Sequence, residues 1–258
     1  MPGLSAAICG LFGLLIGSFL NVVIWRVPRN ESIVAPPSHC PSCDTRLAAR
    51  DNVPVLSWVL LRGKCRYCGV GISARYPAVE LLTGLLFAAV GARFADEAWV
   101  LPAYLAFTAG LVALSVIDLD TFLLPNRVLY PVGFISLPLL LAGSALEGEI
   151  GAFGRALGGG AAAFAVFYVI HIISPRGMGF GDVRLSFLLG CFLGWISWLH
   201  VFFGLFAGFL YGAVVGVALI ALGRHERRKH IPFGPFLAAG AMTFILVGQP
   251  LVDAYTGT

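Results

Sequence analysis

The chain has 258 residues, of which 59% are hydrophobic and only 12% are charged, and its formal net charge is +4. Its mean hydropathy is +0.89. A soluble domain carries about a quarter charged residues, so this composition excludes an ordinary water-soluble fold. We predict an all-α polytopic membrane protein, because a helix satisfies its own backbone hydrogen bonds within hydrocarbon.

The apolar stretches predict about eight transmembrane helices, since a spanning helix needs about 20 predominantly apolar residues. In chain order they cover about 4–25, 77–95, 99–117, 128–143, 156–173, 184–198, 201–222 and 233–250. No basic residue precedes the first stretch, so we read it as a retained span and not as a cleaved signal peptide. The run 184–222 is too long for one crossing, and the cluster GWISWLH predicts a turn within it.

The positive charges predict the orientation, because cytoplasmic loops are enriched in Lys and Arg. With the N-terminus outside, only Arg93 and Arg155 of the 17 basic residues face outward. The inward set is Arg26, Arg29, Arg46, Arg50, Arg62, Lys64, Arg66, Arg75, Arg127, Arg176, Arg184, Arg224, Arg227, Arg228 and Lys229. The net charge therefore indicates topology, and we expect no nucleic-acid partner. The run GRHERRKH is interpreted as a cytoplasmic stop between spans.

Four cysteines predict a metal site in the polar loop 26–76, between the first two spans. Cys40 and Cys43 form one C-x-x-C pair, and Cys65 and Cys68 form a second. Such pairs are typical of a tetrathiolate zinc site, whose closed coordination shell makes the metal structural. A pair of disulfides is the alternative, but thiols stay reduced in the cytoplasm.

Two aspartates at the ends of spans are candidate functional residues, because ionisable groups at membrane depth are costly. Asp118 closes the third predicted span and Asp182 opens the sixth, so both are expected at the same depth on the inner face. Two carboxylates in one site can divide into a base and an acid, which suits peptide hydrolysis. Gly177, Gly179 and Gly181 permit positive φ and close approach of a substrate strand.

Three interpretations of these aspartates remain open on the residues alone. The pair could form an aspartyl hydrolase. Both residues could instead be water-interface markers of topology. An ion-coupled transporter also uses membrane carboxylates and glycine-interrupted helices. A scaffold built around the zinc loop is a further reading from a different functional class.

Six motifs together resemble those of the type IV prepilin peptidases, bifunctional leader peptidases and N-methyltransferases of pilus assembly and type II secretion. They are GLLIGSFLNVVIWRVP, the two C-x-x-C pairs, ISARYPAVELLTG, IDLDTFLLPN, GMGFGDVRL and IPFGPFLAAG, which span nearly the whole chain. The resemblance implies that Asp118, seven residues before Pro125, and Asp182 of the G-x-G-D motif are the catalytic pair. Asp120 is left out as facing water, and Arg184 replaces the Lys of many relatives.

The resemblance also implies the substrate and the cofactors. The substrate would be a prepilin or pseudopilin with a short basic leader, cleaved at the cytoplasmic face of the bacterial inner membrane. S-adenosylmethionine would then methylate the new N-terminal amine. Residues 1–98, with the zinc loop, would be associated with methyl transfer, and residues 99–258 would form a six-span peptidase domain. The oligomeric state is not predicted.

No nucleotide-binding glycine motif indicates where the methyl donor binds, so the candidates are polar groups bordering the zinc loop: Asn21, Arg26 and Glu80. Glu80 could instead pair with a nearby arginine such as Arg75. His171, late in the fifth span, is interpreted as a polar group reaching the membrane interface and not as a catalytic base.

Overall fold

The computed structural model describes residues 2–175, 177–222 and 232–257, and these residues form helices and turns without a strand. The all-α prediction is therefore confirmed for the described residues. The helices are α1 (Pro2–Arg26), α2 (Leu56–Leu60), α3 (Arg75–Arg93), α4 (Leu101–Thr121), α5 (Asn126–Leu146), α6 (Ile150–Ile173), α7 (Phe180–Ile196), α8 (Trp198–Ala221), α9 (Gly234–Val247) and α10 (Gln249–Thr256). Short 3₁₀ turns cover Val27–Arg29 and Ala49–Asp51.

Eight of these helices, α1 and α3 to α9, each correspond to one of the eight apolar stretches of the sequence. Five of them, α1, α4, α5, α6 and α8, are long and apolar enough to cross a membrane. The pair α9 and α10, bent by 74°, is a sixth candidate. The expected turn within GWISWLH lies at Ser197, between the end of α7 and the start of α8. Five of the predicted inward charges, Arg176, Arg224, Arg227, Arg228 and Lys229, lie outside the described residues.

Small residues let the antiparallel helices approach closely. A Cβ on Gly17 of α1 would stand 2.7 Å from the Glu80 Cα of α3. A Cβ on Gly190 of α7 would stand 2.5 Å from the Gly159 carbonyl oxygen of α6. Since lipid is as apolar as the side chains, close packing of small residues is what holds such helices together.

Helix α4 is the centre of the bundle, with 61% of its most apolar window buried. The Phe107 and Phe192 rings stack with centroids 4.0 Å apart, joining α4 to α7. The Tyr104 hydroxyl donates to the Phe192 carbonyl over 2.8 Å, so this buried phenol has a partner. This packing fixes α4 against α7, the two helices that carry the candidate aspartates.

The two arginines predicted to face outward both have structural partners. Arg155 of α6 donates to the carbonyls of Gly194, Trp195 and Ile196, at the C-terminal end of α7. Arg93 lies 3.6 Å from the Glu97 carboxylate. A cation at a helix C-terminus satisfies carbonyls that have no partner within the helix. These arginines therefore stabilise the far end of the bundle.

Candidate active site and metal centre

Asp118 lies in the last turn of α4, where the helix has to stop. Phe122 ends the helix with a left-handed φ of 57° and donates its N–H to the Asp118 carbonyl over 2.9 Å. Asp118 is buried, with 5% of the residue exposed. Its Oδ2 accepts the Gly234 N–H over 3.0 Å, so the first residue of α9 holds the carboxylate in place.

Asp182 lies in the first turn of α7 and caps that helix. Its Oδ2 accepts the Gly179 N–H over 3.2 Å, and its own N–H donates to the Gly179 carbonyl over 3.1 Å. This is the acidic half of a capping arrangement, which suits the positive end of a helix dipole. The other oxygen, Oδ1, is buried and has no hydrogen-bond partner among the described residues. It is free to bind a water or a substrate group.

Leu124 brings the two aspartates into one site. A Cβ on Gly181, beside Asp182, would stand 3.0 Å from the Leu124 Cβ. A Cβ on Gly234, which binds Asp118, would stand 3.2 Å from the Leu124 Cδ2. The charge of Asp118 also acts on the Asp182 carboxyl. The site therefore joins the end of α4 and the starts of α7 and α9.

The glycines before Asp182 act differently from the expectation. Gly179 is extended at φ −69° and ψ 148°, and Gly181 is not among the glycines with positive φ. Gly179 and Gly181 therefore do not use the positive φ that glycine permits. What matters is size, because a side chain at Gly181 would meet Leu124, and Gly177 is 2.7 Å by the same measure from the Ser174 hydroxyl.

His171 contacts the turn that carries Asp182. Its Nδ1 lies 2.8 Å from the Met178 carbonyl oxygen, and its ring lies 5.5 Å from that of Phe180. Since a carbonyl only accepts, Nδ1 carries the proton in this contact. The sequence alone offered no reason to connect His171 with a turn seven residues later. The reading of this residue as a group at the interface therefore misses its partner.

Asp120 does not share the site with Asp118. Its half-exposed carboxylate forms an ion pair with Arg75, at the start of α3. On the same side of the bundle, Arg127 of α5 donates to the Asn30 side chain over 2.8 Å. These two contacts join the loop that follows α1 and the start of α3 to the helices that carry the aspartates. Arg75 is thus not the partner of Glu80.

The cysteine pairs form two knuckles of the same design. Cys40 donates its N–H to the Thr45 carbonyl and accepts from Asp44, and Cys65 does the same with Val70 and Gly69. The fourth residue after each first cysteine has a left-handed φ, 54° for Asp44 and 74° for Gly69. An isolated bridge flanks each knuckle. This repeated turn places both sulfurs of each pair on the same side of the knuckle.

The four sulfurs could hold a metal ion. The Sγ atoms of Cys40, Cys43, Cys65 and Cys68 all lie within 4.8 Å of one another. The Cys40 and Cys68 sulfurs are 3.8 Å apart, which is about the edge of a tetrahedron with metal–sulfur distances near 2.3 Å. Hydrogen bonds from Thr45 lower the pKa of the Cys43 thiol to about 6. Cys9 and Cys191 are buried among the helices, away from this cluster.

The three methyl-donor candidates all bind backbone near the loop. Asn21 donates to the Tyr76 carbonyl over 3.1 Å. Arg26 donates to the Ser32 and Pro36 carbonyls over 2.8 and 2.7 Å. The Glu80 Oε2 accepts the Val55 N–H over 2.7 Å. Arg26 also lines a cavity of about 320 Å³ between α1 and the loop.

Sequence reasoning missed Gly234 and Leu124 as parts of the site. Both stand in quoted motifs, IPFGPFLAAG and IDLDTFLLPN, but neither carries a titratable group. The signal that could have found Gly234 is the glycine-proline step at the start of α9. A glycine there leaves room for a side chain from another helix, and a proline at the next position suits a helix start.

Models of known protein families match both parts of the chain. Residues 11–94 match the model of the bacterial peptidase A24 N-terminal domain, and residues 105–217 match that of the type IV leader peptidase family. No solved structure matches the chain.

Curated relatives align with almost the whole length of the chain. A prepilin leader peptidase/N-methyltransferase of Aeromonas hydrophila is 38% identical, over 99% of this chain and 95% of the relative. Its namesake in Bacillus subtilis (strain 168) is 38% identical, over 95% of each chain. One in Myxococcus xanthus (strain DK1622) is 44% identical, over 87% of this chain and 67% of the relative. On this evidence the chain belongs to the type IV leader peptidase family.

Proposed function

We propose that this protein removes the short basic leader of a prepilin or pseudopilin with Asp118 and Asp182, and then methylates the new N-terminus. The observation that carries the peptidase assignment is the pair of buried carboxylates at one end of the bundle, one held by Gly234 and the other by Gly179. The relatives carry the names of both activities. None of them is named a transporter, and no feature of the described residues favours that alternative.

The two carboxylates have different roles in proton transfer. Two like charges in one buried site cannot both be present at low cost, so one group is ionised and the other is protonated. Both carboxylates accept a backbone N–H at the start of a helix, but the Asp182 Oδ1 is buried without a donor among the described residues; because burial without a donor disfavours the charged form, Asp118 suits the ionised role. It takes a proton from water as the water oxygen attacks the scissile carbonyl carbon. Asp182, with an oxygen free of other partners, gives a proton to the departing amine.

The test replaces each carboxyl by an amide of the same size. Asp118→Asn and Asp182→Asn should each lower prepilin cleavage by about 10⁴-fold or more, the loss seen when one member of a catalytic unit is removed. Asp120→Asn is the matched control, because Asp120 is only two residues away and forms an ion pair outside the site. Near-normal cleavage by the Asp182→Asn protein would remove the dyad mechanism.

The four cysteines hold a structural zinc ion in this proposal. Four thiolates fill a tetrahedral shell and leave no open position for catalysis. The sulfur separations and the paired knuckles support this donor set. Cys40→Ser or Cys65→Ser should lower the zinc content from about one ion per chain, whereas Cys191→Ser should not. Full zinc content in a protein without all four thiols would contradict the assignment.

Methyl transfer belongs to residues 1–98 in this proposal, with Asn21, Arg26 and Glu80 as the candidate residues near the donor. S-adenosylmethionine supplies an electrophilic methyl group to the amine that cleavage releases. The cavity beside Arg26 is large enough to admit part of such a ligand. Calorimetry tests donor binding directly, and Arg26→Gln should weaken it. The Asp118→Asn protein should still methylate a pilin that is supplied already cleaved, which separates the two activities.

In this proposal eight helices cross the bacterial inner membrane, and the site lies at the cytoplasmic face of that membrane. The distribution of basic residues supports that orientation. Contact between α1 and α3, and between α6 and α7, supports counting the shorter α3 and α7 as spans. Reporter fusions after Asp96 and at the C-terminus should show periplasmic activity. A cytoplasmic signal at either position would contradict the eight-span topology.

A further inference from the structure

The loop between α1 and α3 contains an apolar segment, VPVLSWVLL at 53–61, that the metal site does not use. Its helix α2 has two different faces. Trp58 points into the loop, where its Nε1–H donates to the Ile72 carbonyl over 3.0 Å. Leu56, Val59 and Leu60, spaced as one helical face, are 54%, 56% and 72% exposed. The loop therefore presents an apolar face that its own core leaves uncovered.

This segment does not stand away from the membrane helices, because Glu80 holds it against them. The Val55 N–H, at the start of α2, donates to the Glu80 Oε2 over 2.7 Å. Glu80 in turn packs on Gly17 of α1. The carboxylate is thus the anchor between the apolar segment and the α1–α3 pair.

The position of Glu80 along α3 gives the depth of the anchor. Glu80 is the fifth residue after Arg75, which is about 8 Å along the helix at 1.5 Å per residue. Arg75 forms an ion pair with Asp120, at the polar end of α4. The Glu80 side chain points back toward the start of α3, so the start of α2 lies at most about 8 Å beyond the level of these charged groups, which agrees with the 5 to 10 Å to which interfacial helices enter a bilayer.

The apolar surface of the loop continues that of α1. Leu15 and Phe19, 60% and 49% exposed on α1, line one cavity together with Ile33, Val34 and Pro54 of the loop. Since α1 is a candidate membrane span, its exposed apolar side chains face lipid. The loop residues beside them therefore lie at the edge of this lipid-facing surface.

Basic residues stand where an interfacial helix requires them. Arg62 and Lys64 follow α2 directly, and both are exposed. A helix that lies in the headgroup region combines a buried apolar face with Lys or Arg at its edge, which attracts anionic lipid. No acidic residue lies between 53 and 64.

We propose that α2 and its flanking residues, 53–61, form an interfacial membrane anchor of the metal-binding loop, with Leu56, Val59 and Leu60 in contact with phospholipid. The occupant of this face is the bilayer itself. The anchor holds the metal-binding loop against the membrane surface, beside the end of the bundle that carries Asp118 and Asp182. It does not depend on the proposed enzymatic function.

Photocrosslinking of the full-length protein in vesicles of phosphatidylethanolamine and phosphatidylglycerol tests the anchor. The variants Leu60→p-benzoylphenylalanine and Val59→p-benzoylphenylalanine place a photoreactive group on the exposed face. Leu15→p-benzoylphenylalanine, on the outer face of α1, is the lipid-facing control. Asp44→p-benzoylphenylalanine is the control in the same loop, because that side chain is 94% exposed at a metal-binding knuckle. Metal content checks that each variant folds.

Mass spectrometry of the irradiated protein reads the result. Positions 59 and 60 should carry phospholipid adducts at a yield close to that at position 15, and about tenfold above that at position 44, if the face lies in the headgroup region. Absence of lipid adducts at both positions, with adducts present at position 15, would overturn the proposal. Adducts to a second copy of the chain or to an added prepilin, in place of lipid, would also overturn it.

Discussion

Gly234 is the residue whose substitution best tests how the fold positions Asp118. A Cβ at this position would stand 2.8 Å from the Asp118 Oδ2, and ordinary contact begins at 3.4 Å. Gly234→Ala therefore pushes the carboxylate by about 0.6 Å or moves the start of α9. A displacement near 1 Å costs about 10²-fold in a positioned catalytic group. We expect cleavage to fall about 10- to 100-fold, which is about 1.4 to 2.7 kcal/mol of activation free energy.

The assay follows cleavage of a purified prepilin by detergent-solubilised enzyme, from the loss of the leader on a gel. Gly154→Ala is the matched control, because a Cβ there meets nothing within 4 Å on the exposed side of α6. That variant should cleave normally. Thermal unfolding of both proteins shows whether the bundle is intact. A Gly234→Ala protein that cleaves at the normal rate would refute the claim that this glycine makes room for Asp118.

Three further predictions use other contacts of the structure. Asp120→Asn should keep cleavage within about fivefold, because an exposed ion pair such as that with Arg75 contributes little; a loss as large as for Asp118→Asn would contradict this. We expect that His171 positions the turn that carries Asp182 through its contact with the Met178 carbonyl. His171→Asn, whose amide nitrogen can replace Nδ1 there, should keep kcat, whereas His171→Ala should lower kcat about tenfold with little change in KM; equal rates would refute this positioning role. Arg66 lowers the pKa of Asp51, so the stability that this carboxylate adds to the loop is complete above about pH 4 and is lost as the pH falls further; Asp51→Asn should release metal at a lower chelator concentration at pH 7, and unchanged release would contradict it.

Composition and spacing were sufficient to predict the class of protein and the cluster of four cysteines. The number of apolar stretches predicts a helical membrane protein, because hydrocarbon admits few other folds. The two C-x-x-C pairs predict a four-sulfur cluster, since each pair is local and needs only a short turn. The four sulfurs do lie together in the described residues. Such features depend on neighbours in the chain, so they can be recognised without a tertiary structure.

The sequence did not predict which hydrogen-bond or ion-pair partner each polar side chain has. Glu80 binds the Val55 backbone and not Arg75, and Arg75 binds Asp120. Gly234 binds Asp118 across 116 positions of chain. These contacts depend on how α1, α3, α4 and α9 pack against one another, and nothing in a local pattern specifies that packing.

The position of the apolar segment 53–61 is also not predicted by the sequence. By sequence it belongs to a polar loop, and its length is too short for a span. Only the anchor to Glu80 shows that it lies beside α1 and α3. The sequence by itself thus determines which segments avoid water and which side chains can bind metal or protons. The tertiary structure decides which of those groups meet, because a meeting between distant residues depends on the packing of whole helices and not on the residues between them.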